Sequence, residues 1–316
     1  MLIHIGYAKA ASSWTQSMFE TEGSGFNRLG DTGFLNKNVE RINSFEFDAE
    51  KTRDSMYDQF EISEEKINVL SSEGLTGLWT NGNQDSKMFA DRLHSMFPEA
   101  KILIVIREQE SMLNSLYRHY IRRGGLRTPE EFLLPKKYLR CPDGSTPPGW
   151  ERTPQFTLDY YKYHKLINHY QDLFSSENVL VLPMEILKRS EEEYINTIRK
   201  FAGVKDNVYI KNELFRKHEG ITHFEAYIKR FTNPFLNSDS VNDYTWMSPL
   251  DVYKSQYIWE KLIYSINTIT PNDIKEKIAD ERKNKIEEIT DGYYCESNKK
   301  TNDLINTDLK QLGYDI

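Results

Sequence analysis

Apolar residues fall into four short runs along the chain, and each run predicts a buried strand. The runs cover residues 2–6, 67–71, 102–106 and 178–183. Each run contains adjacent apolar residues, whereas a half-buried strand alternates apolar and polar residues. Continuous apolarity is typical of strands that are buried on both faces of a parallel sheet. We therefore predict a central parallel sheet.

Helical patterns lie between these runs and after them. They cover residues 12–21, 85–96, 110–123, 157–174 and 191–202, and beyond residue 205 they cover 223–231, 249–267, 271–290 and 295–312. Strands that alternate with helices predict an α/β fold of three layers, in which helices flank the sheet and the crossovers are right-handed. We expect one domain over 1–316, with an α/β core at 1–204 and a mostly helical C-terminal part at 205–316 packed on it.

One long stretch does not read as helix or strand. Five of the eleven prolines fall within residues 135–154, together with two glycines. Proline and glycine in this density predict a loop. A loop of this length in a compact domain is often a lid or a binding loop.

Composition narrows the class of protein. The longest uninterrupted apolar run, at 102–106, is far shorter than the roughly 20 residues that cross a membrane as a helix. The N-terminus has no pattern of a secretory signal. Cys141 and Cys295 lie far apart, which predicts neither a disulfide framework nor a metal site and favours a reducing compartment, the cytoplasm.

The charge distribution indicates a small anionic ligand. The net charge is −7, which disfavours a general nucleic-acid binder. Residues 101–127 nevertheless carry six basic and two acidic side chains. A local cationic patch on an acidic protein fits a small anion better than a polyanion. The sequence carries no signal of the oligomeric state.

The turn after the first predicted strand has the composition of a phosphate-binding loop. It reads Lys9-Ala10-Ala11-Ser12-Ser13 and leads into a predicted helix. Small residues at 10–13 let backbone N–H groups approach a ligand, and the helix N-terminus favours an anion. The serine hydroxyls and the Lys9 ammonium add donors. The alternative is an ordinary turn with a solvated lysine and capping serines.

This turn lacks the G-x-x-x-x-G-K-[ST] pattern of nucleoside-triphosphate loops, since Lys9 precedes the small residues.

A second candidate for a phosphate-binding segment follows the strand at 102–106. Arg107 comes directly after that strand, and Ser115 lies eight residues further on. Ligands bind at the carboxyl ends of parallel strands, where an arginine can hold a phosphate through two hydrogen bonds. The alternative for Arg107 is an ion pair with a surface carboxylate.

These two segments resemble the sulfotransferases that use 3′-phosphoadenosine 5′-phosphosulfate (PAPS). That family commonly has P-K-[ST]-G-T-[TS]-W in its phosphosulfate loop, where this chain has Ala8-Lys9-Ala10-Ala11-Ser12-Ser13-Trp14. It commonly has R-[DN]-P and then a serine eight residues beyond the arginine, where this chain has Arg107-Glu108-Gln109 and Ser115. Ala8, Ala11 and Gln109 depart from that pattern. The segments 156–204 and 293–314 also resemble the family, whereas 205–290 match it poorly.

The resemblance implies a P-loop-like fold, sulfuryl transfer and a set of ligand contacts. Lys9, Ser12 and Ser13 would hold the phosphosulfate, with the backbone of Ala10 and Ala11 beside them. Trp14 would lie near the adenine, while Arg107 and Ser115 would hold the 3′-phosphate. The product would be adenosine 3′,5′-bisphosphate, and the resemblance implies no metal.

A base is needed to accept the proton of the attacking hydroxyl. Glu73 follows the strand at 67–71 and so is expected at the same sheet edge. We select Glu73 as the base and Lys9 as the cation that stabilises the leaving group. His119 is the histidine alternative for the base, and a capping or ion-pair role is the alternative for Glu73.

The sequence therefore predicts an enzyme, a PAPS-dependent sulfotransferase. Its acceptor would be a hydroxyl of a carbohydrate, glycolipid or small metabolite, and we expect no nucleic-acid partner. Two alternatives stay open. One is a divergent P-loop-like kinase, and the other is a nucleotide-binding relative without catalytic activity.

Overall fold

Five parallel strands form one sheet, in the order β2-β3-β1-β4-β5. The strands are β1 Leu2–Gly6, β2 Phe26–Arg28, β3 Ile67–Ser72, β4 Lys101–Ile106 and β5 Val179–Pro183. The predicted central parallel sheet is confirmed, and four of its strands coincide with the four apolar runs. The sequence patterns missed β2, because this edge strand has three residues and two of them are polar.

The computed structural model describes residues 1–30, 32–79, 84–135, 156–205, 220–233 and 252–316, without the side chains of 32 and 252–260. The predicted loop at 135–154 lies outside these ranges except for its first residue. Cys141 also lies outside them. Cys295 is a half-buried free thiol.

β1 is the central strand, and the strand order reverses around it. The chain builds β3 on one side of β1 and then crosses to build β4 on the other. Ile5 pairs with Ser72 of β3, and Gly6 pairs with Val105 of β4. The last residues of the three strands therefore lie side by side. In open α/β sheets this reversal leaves a crevice at the carboxyl ends of the strands, where ligands bind.

The sheet forms the core of the first of two compact units, which comprises Met1–Glu108, Arg152–Lys217 and Tyr294–Ile316. All five residues of β1 are buried, as are the last five of β4. The helices of this unit are Ser12–Glu20, Thr32–Leu35, Ala49–Gln59, Ser86–Met96, His164–Phe174, Met184–Arg189, Glu191–Ala202 and Cys295–Leu304. The predicted helix at 157–174 differs, since a 3-10 turn at Leu158–Tyr161 precedes the α-helix. The predicted C-terminal helix is shorter in the structure, since the chain turns extended at Ile305 and a 3-10 turn follows only at Lys310–Leu312.

The second unit comprises Gln109–Glu151 and His218–Tyr293. Its described elements are the helices Gln109–Arg122, Pro129–Leu133, His223–Thr232, Val252–Ile269 and Asn272–Thr290. The apolar face predicted at 110–123 is buried. Buried polar side chains also join its elements, since the Asn233 amide donates to the carbonyls of Ile121 and Gly125 at 2.9 and 2.8 Å.

The three-layer α/β prediction agrees with the sheet and its flanking helices, and the described part of 205–316 is helical. The division of the chain at residue 204 stays a prediction.

Within the described ranges, every helix is too short or too polar to cross a membrane.

Candidate functional site

The loop that follows β1 has an unusual backbone. Lys9 and Ala11 have positive φ angles of 69° and 60°, which β-carbon-bearing residues rarely adopt. Ala10 between them does not have a positive φ, and Ser12 begins a right-handed helix. Each left-handed residue costs roughly 1–2 kcal/mol. Strain of this kind is typical of functional loops.

Two left-handed residues, Lys9 and Ala11, followed by the start of a right-handed helix, give this loop a backbone similar to that of an anion-binding nest, in which the Ala10 N–H itself donates to the Tyr7 carbonyl at 3.0 Å. Successive residues of opposite hand turn their N–H groups toward one concave side, as in phosphate-binding loops. The loop is anchored at both ends. The Tyr7 N–H donates to the Val105 carbonyl at 3.2 Å, and the Ala11 carbonyl accepts from the Thr15 N–H at 3.0 Å. We call residues 9–12 the nest.

The helix Ser12–Glu20 begins directly from the nest. Its N-cap residue, Ala11, forms no side-chain capping hydrogen bond. The first N–H groups of a helix have no acceptor within the helix itself. Backbone donors and the positive end of the helix dipole therefore converge where the sequence predicts a phosphosulfate.

Ser12 and Ser13 differ in exposure. Ser12 is buried and Ser13 is exposed. The Ser12 Oγ has no hydrogen-bond partner of good geometry among the described residues, although it is only 2.6 Å from the position that a β-carbon on Gly6 would occupy. Glycine at position 6 therefore leaves room for this hydroxyl. A buried hydroxyl at the start of this helix can donate to a bound anion.

Glu73 lies at the same sheet edge, immediately after β3. Burial raises the pKa of Glu73, and the positive charge of Lys9 and the nearby Ser12 hydroxyl lower it in part. Glu73, Lys9 and Ser12 are therefore close enough to interact electrostatically. A half-buried carboxyl with a raised pKa beside a cation is a suitable general base.

Glu40 stabilises the turn that carries Glu73. The Ser72 hydroxyl donates to Glu40 Oε1 at 2.6 Å and accepts the Gly74 N–H at 3.2 Å. Glu40 ends a π-helix, Asn36–Glu40, and is buried. Sequence reasoning missed Glu40, because its partner is 32 residues away in sequence and no local spacing connects the two.

Arg107 lies beside the nest. Its Nη1 donates to the Lys9 carbonyl at 2.9 Å, so the tips of β1 and β4 are in direct contact. The Tyr163 hydroxyl donates to the Arg107 carbonyl at 2.6 Å. Burial lowers the pKa of Arg107, and the carboxylate of Glu185 raises it in part. Lys9 and Arg107, predicted from separate motifs, therefore lie next to each other.

Hydrogen bonds of Glu185 connect the residues after β4 to the C-terminal segment. Glu185 accepts from the Glu108 N–H at 3.2 Å and from the Tyr314 hydroxyl at 3.2 Å. Both Tyr314 and Tyr163 are buried. No sequence signal connects these residues, since the contacts join segments more than 70 positions apart.

Two other residues that the sequence predicts to bind the nucleotide are Trp14 and Ser115. Trp14 is half-buried and packs edge-on against the ring of Tyr194, with the ring centroids 5.5 Å apart. Ser115 is half-buried on the helix Gln109–Arg122 of the second unit, as is His119. The adenine and 3′-phosphate roles of these residues stay predictions. Across the described residues, His, Cys, Asp and Glu side chains form no group that could hold a metal ion.

Comparisons with known proteins were made at the level of sequence and of structure. No protein-family model matches the chain, and none of the curated proteins gives a significant match. Among solved structures, a sulfotransferase from Alicyclobacillus acidocaldarius is 18% identical at a TM-score of 0.49, over 69% of this chain and 85% of that one.

Two further similar structures belong to the same class. Mouse sulfotransferase SULT7A1 complexed with PAP is 13% identical at a TM-score of 0.38, over 88% of each chain. The sulfotransferase domain from the curacin biosynthetic pathway is 13% identical at a TM-score of 0.40, over 69% of this chain and 78% of that one. All three are sulfotransferases, the family that the motifs of this chain resemble. Identities and scores this low do not assign an activity.

Proposed function

We propose that this chain is a sulfotransferase that uses PAPS and sulfates a hydroxyl of a carbohydrate, glycolipid or small metabolite. The observation that carries the proposal is the left-handed backbone of the nest at Lys9 and Ala11, with the half-buried Glu73 carboxyl beside it. This arrangement pairs an oxyanion site with a proton acceptor, which are the two elements that sulfuryl transfer requires.

The residues of the site divide the work between binding and proton transfer. The N–H groups of Ala11 and Ser12 and the Ser12 hydroxyl bind the phosphosulfate oxygens, whereas the Ala10 N–H is occupied by the Tyr7 carbonyl. The Lys9 ammonium neutralises the negative charge that develops on the leaving phosphate oxygen when the S–O bond to it breaks. The Glu73 carboxylate takes the proton of the acceptor hydroxyl as its oxygen bonds to sulfur. PAPS supplies the sulfuryl group, and adenosine 3′,5′-bisphosphate leaves.

A kinase with a divergent loop is the alternative in the enzyme class. The nest would suit a nucleotide phosphate equally well. The missing G-x-x-x-x-G-K-[ST] pattern disfavours a triphosphate with magnesium, because that pattern supplies both the lysine and the metal-binding hydroxyl. A ligand that carries charge at both ends of one nucleoside fits two cations, Lys9 and Arg107, on neighbouring strands.

Ligand-induced thermal stabilisation distinguishes the sulfotransferase hypothesis from the kinase hypothesis. Adenosine 3′,5′-bisphosphate is expected to raise the melting temperature of the full chain much more than ATP with Mg²⁺ does. Equal stabilisation by both ligands would count against the sulfotransferase. Magnesium-dependent stabilisation by ATP alone would favour the kinase.

The role of Arg107 is tested with two ligands that differ by one phosphate. If Arg107 holds the 3′-phosphate, Arg107→Ala weakens adenosine 3′,5′-bisphosphate by about tenfold or more and leaves adenosine 5′-monophosphate nearly unchanged. If Arg107 acts through the Lys9 carbonyl, both ligands weaken equally. Ser115→Ala, measured with the same two ligands, tests the second predicted contact.

Turnover requires an acceptor, which a library screen can supply. The chain is incubated with isotopically labelled PAPS and candidate hydroxyl compounds, and sulfated products are detected by mass spectrometry. With any acceptor found, Lys9→Ala is expected to abolish most turnover. Glu73→Gln is expected to lower kcat by about 10²–10⁴ with little change in bisphosphate affinity. Bisphosphate binding without product from any acceptor would support the non-catalytic alternative.

A further inference from the structure

Three arginines of the second unit lie close to one buried tyrosine, and the proposed reaction gives them no role. Each arginine lies on a different helix, and the three helices contact one another within the unit. They are Arg118 on Gln109–Arg122, Arg230 on His223–Thr232 and Arg282 on Asn272–Thr290. We call these three residues the arginine cluster. Because the helices are far apart in sequence, only the tertiary structure brings these side chains together.

Tyr117 lies between two members of the cluster. The Arg282 guanidinium is over the Tyr117 ring, with its central carbon 5.3 Å from the ring centroid. The Tyr117 hydroxyl donates to the Arg127 carbonyl at 2.9 Å and is also a hydrogen-bond partner of the Arg230 guanidinium. Burial raises the pKa of Tyr117, and the charges of Arg230 and Arg282 lower it in part. The phenol is therefore neutral at physiological pH and supplies no negative charge to the arginines.

Two of the arginines hold the backbone where the helix His223–Thr232 begins. Arg118 Nη1 donates to the Ile221 carbonyl at 3.0 Å, and Arg282 Nη2 donates to the His223 carbonyl at 2.8 Å. Arg282 Nη1 is also 3.4 Å from His223 Nδ1. These contacts bring both guanidinium groups to one short backbone segment. The contacts with His223 occupy two of the five N–H donors of Arg282, so further donors remain for a ligand.

The positive charge of Arg282 is not balanced by a carboxylate of the described residues. Arg282 is 8% exposed, and the ionisable side chains close enough to affect its charge are Tyr117, Arg118 and Arg230. Burial lowers the pKa of Arg282 to about 10; Tyr117 opposes this shift, and the other two arginines add to it. The ring of His223 is neutral at physiological pH, because burial and neighbouring cations, Arg118 first, lower its pKa to about 4.

Like charges in a buried cluster are unfavourable unless an opposite charge joins them. The Glu225 carboxylate, on the same helix as Arg230, has other partners, since it accepts the Thr222 N–H at 2.7 Å and the Asn267 amide at 3.4 Å. Guanidinium groups are suited to phosphate and sulfate, because their planar N–H groups can pair with two oxygens of one anion. The arginine cluster therefore has the charge and the donors of an oxyanion site.

We propose that the arginine cluster binds a phosphate or sulfate ester group of a small ligand. The guanidinium groups of Arg230 and Arg282 hold the ester oxygens, and Arg118 adds positive charge while it fixes the Ile221 carbonyl. Two sources of such an ester fit this chemistry: the 3′-phosphate of a nucleotide, and a sugar or metabolite that already carries a sulfate or phosphate. The site does not rest on the proposed function, because the nest belongs to the first unit.

Thermal unfolding with inorganic sulfate tests the site in the full chain. At constant ionic strength, sulfate is expected to raise the melting temperature of the unaltered protein more than that of Arg230→Met or Arg282→Met. Arg230→Met is the milder substitution, because Arg282 also holds the His223 carbonyl. Sulfate stabilises folded proteins in general by its exclusion from their surface. That contribution, and any binding at the nest, is common to all variants and cancels in the comparison.

Lys229→Met is the matched control, because it removes one positive charge from the neighbouring residue of the same helix. It should keep the full effect of sulfate. An equal loss in Lys229→Met and Arg230→Met would attribute the effect to net charge, and equal stabilisation of all variants would leave the arginines only a structural role. Either result would overturn the proposal. In the unaltered protein, nitrogen-15 NMR should show the guanidinium resonances of Arg230 and Arg282 shifting with sulfate, and unshifted resonances would also refute the site.

Two ligand pairs identify the source of the ester group. If it is the 3′-phosphate, Arg230→Met weakens adenosine 3′,5′-bisphosphate about tenfold to a hundredfold and leaves adenosine 5′-monophosphate nearly unchanged. If it is an ester on another small molecule, Arg230→Met weakens glucose 6-sulfate, with glucose as the control. If neither affinity changes, the cluster holds a free ion only and the assignment to an ester is refuted. If the unaltered protein binds no bisphosphate, the proposed function fails, whereas the sulfate experiment still decides the cluster.

Discussion

Replacing Ala11 by glycine is expected to stabilise this protein, which is the reverse of the usual effect of glycine inside a helix. Ala11 has φ 60° and ψ 23°, a left-handed conformation that costs a residue with a β-carbon roughly 1–2 kcal/mol. Glycine removes that strain but gains about 0.4–1 kcal/mol of entropy in the unfolded chain. The balance is a stabilisation of about 0.5–1 kcal/mol.

The neighbouring alanine supplies a matched control. Ala10 is buried and does not have a positive φ. Ala10→Gly therefore removes no strain, costs about 0.5–1 kcal/mol of backbone entropy and about 0.8 kcal/mol of apolar burial. The two substitutions, identical in chemistry and one residue apart, are expected to change stability in opposite directions.

Urea unfolding of the full chain measures both variants, and the midpoint is compared at an unchanged slope m. Ala11→Gly should raise the midpoint and Ala10→Gly should lower it. If both variants lose stability to the same extent, residue 11 does not adopt the left-handed conformation in the folded protein. The backbone conformation assigned to the nest, and the oxyanion site that depends on it, would then be refuted.

Three further predictions concern the Glu73 side of the site. Because burial raises the pKa of Glu73, the folded state binds more protons than the unfolded state at pH values between the ordinary and the raised pKa, and stability falls as the pH rises through that window. Glu73→Gln should therefore raise the melting temperature at pH 7 and have no such effect below the ordinary glutamate pKa. An equal difference in melting temperature at both pH values would contradict the assignment. Lys9→Met should raise the pKa of Glu73 further, because the Lys9 charge lowers it, and carbon-13 NMR of the carboxyl measures this without any turnover; an unchanged titration would show that the two groups do not interact. Gly74→Ala should destabilise the protein by about 1–3 kcal/mol, because its β-carbon would overlap the carboxylate of Glu40. Gly220→Ala, whose β-carbon would have no atom of the described residues within 4 Å, should have little effect in the same unfolding assay.

Local patterns predicted the elements that have strong local causes. The continuous apolar runs became β1, β3, β4 and β5, because burial on both faces of a sheet demands such runs. The helix Gln109–Arg122 followed its apolar spacing to within a residue at each end. β2 and the π-helix Asn36–Glu40 escaped prediction, because three residues at a sheet edge and one widened helical turn leave no period to detect.

The same distinction between local and long-range causes applies to the residues of the candidate site. Lys9, Ser12 and Arg107 were selected from the sequence because a cation or a small polar residue directly after an apolar run is a local feature. Glu40 was not selected. It acts through a partner 32 positions away, and nothing near it in the chain indicates that partner.

By itself, the sequence determined which segments become buried strands and which polar residues follow them, since both depend on neighbours within a few positions. Tertiary structure alone decided that β1 lies between β3 and β4, and so that the residues after these three strands meet at one edge. It also decided the handedness of Lys9 and Ala11, because alanine and lysine adopt a left-handed conformation only where surrounding contacts impose it.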